Sequence, residues 1–182
     1  MVWTAPMTAV AGSVFTAAQF NTFIRDNQLE TAPAKATTAG RHFAVSGTNE
    51  IAERASVSDF IGTSESTTSA AYTDLATVGP TVSVTTGTQA WVYTSSFANN
   101  GTAGTSNSFA HEISGASSSV ANDNHRGLYV REGSTTGVTG GRMTTVNLRT
   151  GLVSGVNVFT MKYKTSGGTA DFSSRTIAVF PL

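Results

Sequence analysis

From residue 71 to the C-terminus the chain runs in short stretches closed by clusters of Gly, Asn or Ser, and this punctuation limits the fold more than any other feature. Asn99-Asn100-Gly101, Gly133-Ser134, Gly140-Gly141 and Ser166-Gly167-Gly168 are the clearest breaks. Short segments between turn clusters are the mark of an all-β domain. Strands are expected at residues 71–77, 81–86, 89–97, 108–114, 127–132, 142–149, 157–164 and 175–180. About eight strands in this length predict a β-sandwich or jelly roll over residues 70–182.

Alternation is strongest in Trp91/Tyr93/Ser95/Phe97 and in Phe159/Met161/Tyr163, where a period of two puts the aromatic residues on one face. A β domain with few large residues needs most of them inside, so the Trp91 row is expected in the core. The competing reading makes Trp91 and Tyr93 a sugar-stacking platform on an exposed face. Exposure of Trp91 decides between the two.

The first part of the chain is built differently. Thr16 is placed to cap a helix whose third residue is Gln19, and Phe15 precedes the cap where it can staple onto Phe20. Phe20, Phe23 and Ile24 then fall on one face, and Pro33 opposes continuation, so a helix is expected at about residues 17–30. A helix this short is marginal in water and must bury its apolar face against something. The rest of this region is poor in large apolar residues, with a hairpin expected at residues 42–45 and 50–53 around Gly47-Thr48-Asn49. The chain therefore divides into an N-terminal anchor or assembly segment (1–55), a polar connector (56–69) and the sandwich (70–182).

Composition removes several classes of function. Eleven Lys and Arg balance eleven Asp and Glu, so no net field attracts nucleic acid or an anionic membrane surface. Without Cys there is neither a disulfide framework nor a thiolate metal site. Residues 1–24 carry no charged side chain, but Pro6, Gly12, Gln19 and Asn21 interrupt the apolar run and no basic segment precedes it. A protein made without a secretion signal and without a membrane span is expected.

Catalysis and metal binding find little support. His111 and Glu112 are adjacent on an expected strand and so point to opposite faces, and no nucleophile-elbow pattern occurs. Asn122-Asp123-Asn124-His125 gathers oxygens but only one carboxylate, which fits an Asx-rich turn better than a calcium loop. No catalytic residue, metal ligand or cofactor is expected.

Trp3-Thr4-Ala5-Pro6, then Ala11-Gly12-Ser13-Val14-Phe15-Thr16-Ala17-Ala18-Gln19-Phe20-Asn21 and Ile24-Arg25-Asp26-Asn27, resembles a segment common in structural proteins of tailed bacteriophages that infect actinobacteria. The similarity extends through Glu30-Thr31-Ala32-Pro33-Ala34-Lys35-Ala36 and Gly47-Thr48-Asn49 to Arg54, and so covers about residues 3–54. Thr73-Asp74-Leu75-Ala76-Thr77 and Gly155-Val156-Asn157-Val158-Phe159-Thr160 are similar to the β domains joined to that segment.

The resemblance implies a non-enzymatic virion component, described in that family as minor tail, fibre or head-decorating protein. Synthesis in the host bacterial cytoplasm and a place on the virion surface follow from it, as do major capsid or tail proteins as partners and a homo-oligomer, with a trimer expected. Trp3, Phe15, Phe20, Phe23 and Ile24 are the expected docking residues. Having neither a heptad nor a collagen-like shaft, the chain fits a head decoration better than a reaching fibre. A minor tail or tail-fibre protein binding a host receptor or surface glycan through Trp91 and Tyr93 is the alternative.

Overall fold

The computed structural model describes residues 3–131 and 139–182, with side chains throughout except at Thr139, and divides into two compact units, residues 1–55 and 56–181. In the first unit, Thr16 and Gln19 form the reciprocal cap: the Thr16 hydroxyl accepts from Gln19 N at 3.2 Å, and Gln19 Oε1 accepts from Thr16 N at 2.9 Å. The Phe15 and Phe20 rings meet edge-on, 6.2 Å apart. From this start the chain is helical over α1 (Ala17–Phe20), a π-helical turn (Asn21–Arg25) and α2 (Asp26–Leu29). The π turn, closed by Asp26 N donating to Asn21 O, was not foreseen from the spacing. It widens the helix where Phe23 and Ile24 lie.

Pro33 opens the next helical turn, α3 (Ala32–Lys35), because its missing N–H is harmless in a first turn. Strands β1 (His42–Gly47) and β2 (Glu50–Arg54) form the expected hairpin, with Asn49 in the left-handed conformation at the turn (φ 56°). Lys35 ties helix to hairpin by donating to Ile51 O at 3.1 Å while pairing with Glu30 at 2.5 Å.

The second unit is an antiparallel sandwich. Its strands are β3 (Val57–Ile61), β4 (Glu65–Thr67), β5 (Thr81–Thr86), β6 (Gln89–Asn100), β7 (Ser106–Gly115), β8 (Gly127–Val130), β9 (Thr139–Thr150), β10 (Gly155–Thr165) and β11 (Ala170–Pro181). The pairs nest, β7 with β8, β6 with β9, β5 with β10 and β3 with β11, so the chain folds back as one long hairpin. Pairing of β10 with β7 and of β11 with β6 rolls that hairpin into sheets ordered β5-β10-β7-β8 and β3-β11-β6-β9. This is the strand order of a jelly roll.

Residues 56–69 are therefore not a connector. β3 and β4 both pair along β11, β4 at its start and β3 further on. Their Ser- and Thr-rich sequence hides them because they are short border strands with at most half-buried side chains. Conversely, the strand expected at 71–77 is reduced to a single bridge from Thr73 to Tyr163. Side-chain bonds hold that segment instead: Lys162 donates to Asp74, and Thr77 donates to Glu65.

Between the sheets lie Val82, Val84, Val92, Phe109, Ile113, Phe159, Met161, Tyr163, Phe172, Ile177 and Val179. A bulge between Ser173 and Thr176, with Ser174 at φ 47°, adds a residue to β11 and shifts its phase. The shift keeps Ile177 and Val179 inward and carries Arg175 in as well, with no exposure left. Arg175 pairs with Glu65 at 3.1 Å and lies 5.6 Å from the centre of the Tyr163 ring. Gly127 is needed where β8 passes Phe109, since a Cβ there would stand 2.2 Å from the ring.

Candidate interaction surfaces

Residues 3–55 contain one residue buried as a whole, Ala44, in addition to the Glu30 side chain that Lys35 covers. Trp3, Phe15, Phe20 and Ile24 are exposed at 38%, 48%, 48% and 38%, joined by Val10, Val14 and Leu29, while Phe23 is half-buried. Of the five expected docking residues, Phe15 and Phe20 are in direct ring contact. Asn27, quoted above only as part of a motif, proves to be the clamp of this unit. Its amide accepts from Thr4 N at 2.9 Å and donates to Thr4 O at 2.8 Å, and also to Phe23 O at 3.0 Å. One side chain thus fixes the extended segment beside Trp3 to the helix, a role that spacing alone could not reveal because its partner is 23 residues away.

The expectation that Trp91 lies in the sandwich core is overturned. Trp91 is 43% exposed, Phe97 37%, and Tyr93 half-buried, while Ala90, Val92, Thr94, Ser96 and Ala98 fill the inner face of β6. Alternation was read correctly and its phase inverted. Across the sandwich, the other sheet supplies Phe109, Phe159, Met161 and Tyr163, and neighbouring β11 adds Phe172 and Ile177, so the space left to β6 is filled by small residues.

Outward residues of β11, β6 and β9 fall into cross-strand rows. Phe180, Trp91 and Leu148 make one, Ala178, Tyr93 and Val146 the next, and Thr176, Ser95 and Thr144 a third. Within the third, the Ser95 hydroxyl is already engaged, accepting from Arg142 at 3.2 Å and from Thr144 at 3.1 Å.

Titratable groups are spent on one another. His111 is buried and stacks on His125, ring centres 5.6 Å apart, and its Nε2 lies 3.1 Å from Arg149 Nη1. Burial foremost, then the charge of Arg149 and the His125 ring, pushes His111 down to about 3. It is thus a neutral acceptor for Arg149, whose other nitrogen donates to Ser119 at 2.9 Å. Glu112, on the opposite face of β7, pairs with Lys162 at 2.9 Å.

Asn122 caps the turn at Asp123–His125, accepting from Asn124 N at 3.0 Å. Asp123 accepts from Lys164 at 2.6 Å and Tyr72 at 2.9 Å, and those two bonds hold its carboxyl below the usual range. Burial alone would raise Glu65; the hydrogen bonds from Thr77 and the charge of Arg175 overcome that and lower it. Among the described residues no three His, Cys, Asp or Glu side chains gather as a metal site, and no helix is long and apolar enough to cross a membrane.

No protein-family model matches the chain, and no curated protein matches its sequence. The fold itself defines the class: a jelly-roll sandwich preceded by a helix-and-hairpin unit whose large apolar side chains are mostly exposed.

Proposed function

We propose that the protein is a non-enzymatic structural component of a bacteriophage particle surface, a decoration or head-fibre protein held by its N-terminal unit with the jelly roll displayed. The observation that carries this reading is the apolar set of residues 3–55, in which a capped and stapled helix leaves Phe15, Phe20, Ile24 and Leu29 exposed and only Ala44 is buried as a whole. A unit of this size burying so little gains its ordered shape from a partner. The phage-like motif over the same residues names the kind of partner, a capsid or tail shell. Host-made particles would carry the protein as a homo-oligomer, with three copies the expected number.

The exposed Trp91 and Tyr93 favour one second reading, a minor tail or tail-fibre protein whose sandwich binds a host receptor or glycan. Complementing a phage lacking this protein with wild type or Phe20→Asp, then quantifying the chain in purified particles, separates the readings from a role elsewhere. Incorporation of the wild type and its loss in the variant is the expected result. Equal incorporation of both would refute anchoring through this unit.

A further inference from the structure

We infer that the gap between β7 and β9, on the side of the sandwich that β8 leaves open, binds a small tetrahedral oxyanion of phosphate type, held by Arg149 and Ser119 beside His125. β8 pairs with β7 only from Ser106 to Phe109. Beyond that point the flank of β7 carries a bridge from Ile113 to Ser119, and β9 is the border strand of the facing sheet. Residues 116–126 close the opening. They bring half-buried Ser119 onto Arg149, which β9 turns inward opposite Ala90, and half-buried His125 onto the His111 ring that Arg149 touches.

Charge in this gap is uncompensated. A guanidinium keeps its proton at any ordinary pH, so Arg149, 9% exposed, carries a full positive charge here. Buried charges are paired as a rule, and Arg175 in the same sandwich has Glu65 at 3.1 Å. Arg149 has no carboxylate partner among the described residues. Its polar contacts are His111 Nε2 at 3.1 Å and Ser119 Oγ at 2.9 Å, both neutral. The acids nearest along the chain are spent elsewhere, Glu112 on Lys162 and Asp123 on Lys164, Tyr72 and Arg126.

Hydrogen-bond acceptors are short in the same place. His111 gives its lone pair to Arg149, so its proton sits on Nδ1, and that buried N–H has no acceptor among the described residues. Ser119 Oγ accepts from Arg149, which leaves its own O–H to donate. Surplus donors around a surplus positive charge are complemented by an ion that brings negative oxygens. Two oxygens match the guanidinium fork and a third takes the Ser119 proton, which selects a tetrahedral ion over a planar carboxylate. At 9% exposure Arg149 is within reach of a free ion and too deep for a phosphate inside a polymer backbone.

The purified full-length chain, in an oxyanion-free buffer near about pH 7.5, is titrated with inorganic phosphate by calorimetry and followed in thermal melts. Saturable one-to-one binding is expected, with a melting temperature that rises with phosphate concentration. Ser119→Ala should weaken binding about fivefold or more. Arg149→Gln should abolish it, while Arg142→Gln, whose side chain lies on the outer face beside Ser95, should bind as wild type does. Acetate, and chloride at equal ionic strength, should give no saturable response. Should Arg149→Gln fold poorly, the amide resonances of Ser119 and His125 in the wild type give the second reading, shifting with phosphate while those of Trp91 and Tyr93 stay in place. Absence of saturable binding, binding kept in a folded Arg149→Gln, an equal response to acetate, or resonance shifts confined to other residues would overturn the inference.

Discussion

Acidification should weaken the jelly roll through His111 before any carboxylate is affected. In the unfolded chain a histidine takes up its proton near pH 6.5, whereas in the fold His111 is held down to about 3 by burial and by the neighbouring Arg149 and His125. A depressed folded value means that the stabilisation is complete above about pH 6.5 and drains away as the pH falls toward 3. Integrating proton uptake by the unfolded chain alone gives a loss of about 2 kcal/mol by about pH 5. Glu65 and Asp123, whose carboxyls are also lowered, start from 4.5 and 3.8 and so contribute only at lower pH.

The perturbation to compare is His111→Gln, which keeps an acceptor for Arg149 Nη1 but cannot titrate. Urea unfolding of both proteins at about pH 7.5, 6 and 5 should show the wild type losing about 2 kcal/mol over that range and the variant staying nearly level. The same loss in both would refute the assignment of His111 as a buried neutral acceptor.

Other variants probe the packing. Glu65→Gln removes the charge partner of the fully buried Arg175 and should cost about 3 kcal/mol in urea unfolding at neutral pH. Phe159→Ala, at zero exposure, should cost about 3–5 kcal/mol, whereas Trp91→Ala on the outer face should cost about 1 kcal/mol or less; thermal melts decide. Gly127→Ala forces a methyl group into the Phe109 ring and should lower stability by about 1–3 kcal/mol, with little change if β8 can move aside. Asn27→Ala should loosen the 3–10 segment, read as faster amide exchange at Thr4, whose N–H it caps.

Local chemistry was the legible part of this sequence. The Thr16–Gln19 cap and the Phe15–Phe20 staple depend on residues three to five apart, and both are formed. Strand positions after residue 80 were legible in outline, but two of the expected breaks are not breaks: Asn99-Asn100 lies in β6 and Gly140-Gly141 in β9, with Asn99 paired to Gly140. Gly133-Ser134 lies outside the described residues. Which face of β6 is inward was not legible, since a period of two says only which residues share a side. Volume inside the sandwich decides it, and Phe109, Phe159, Tyr163 and Phe172 come from distant strands. Arg175 reads as a solvent-facing charge until the bulge at Ser174 turns it inward beside Glu65. That bulge, like β3 and β4, depends on pairing with residues far along the chain, which no local pattern records.

The central claim, attachment to a particle through residues 3–55, is tested most directly by electron cryomicroscopy of purified virions. The account predicts density for the Phe15–Phe20 helix start and its exposed apolar neighbours against the shell, with the jelly roll turned away from it. Particles that lack the chain, or that hold it by the jelly roll while the N-terminal unit stands in solvent, would contradict it.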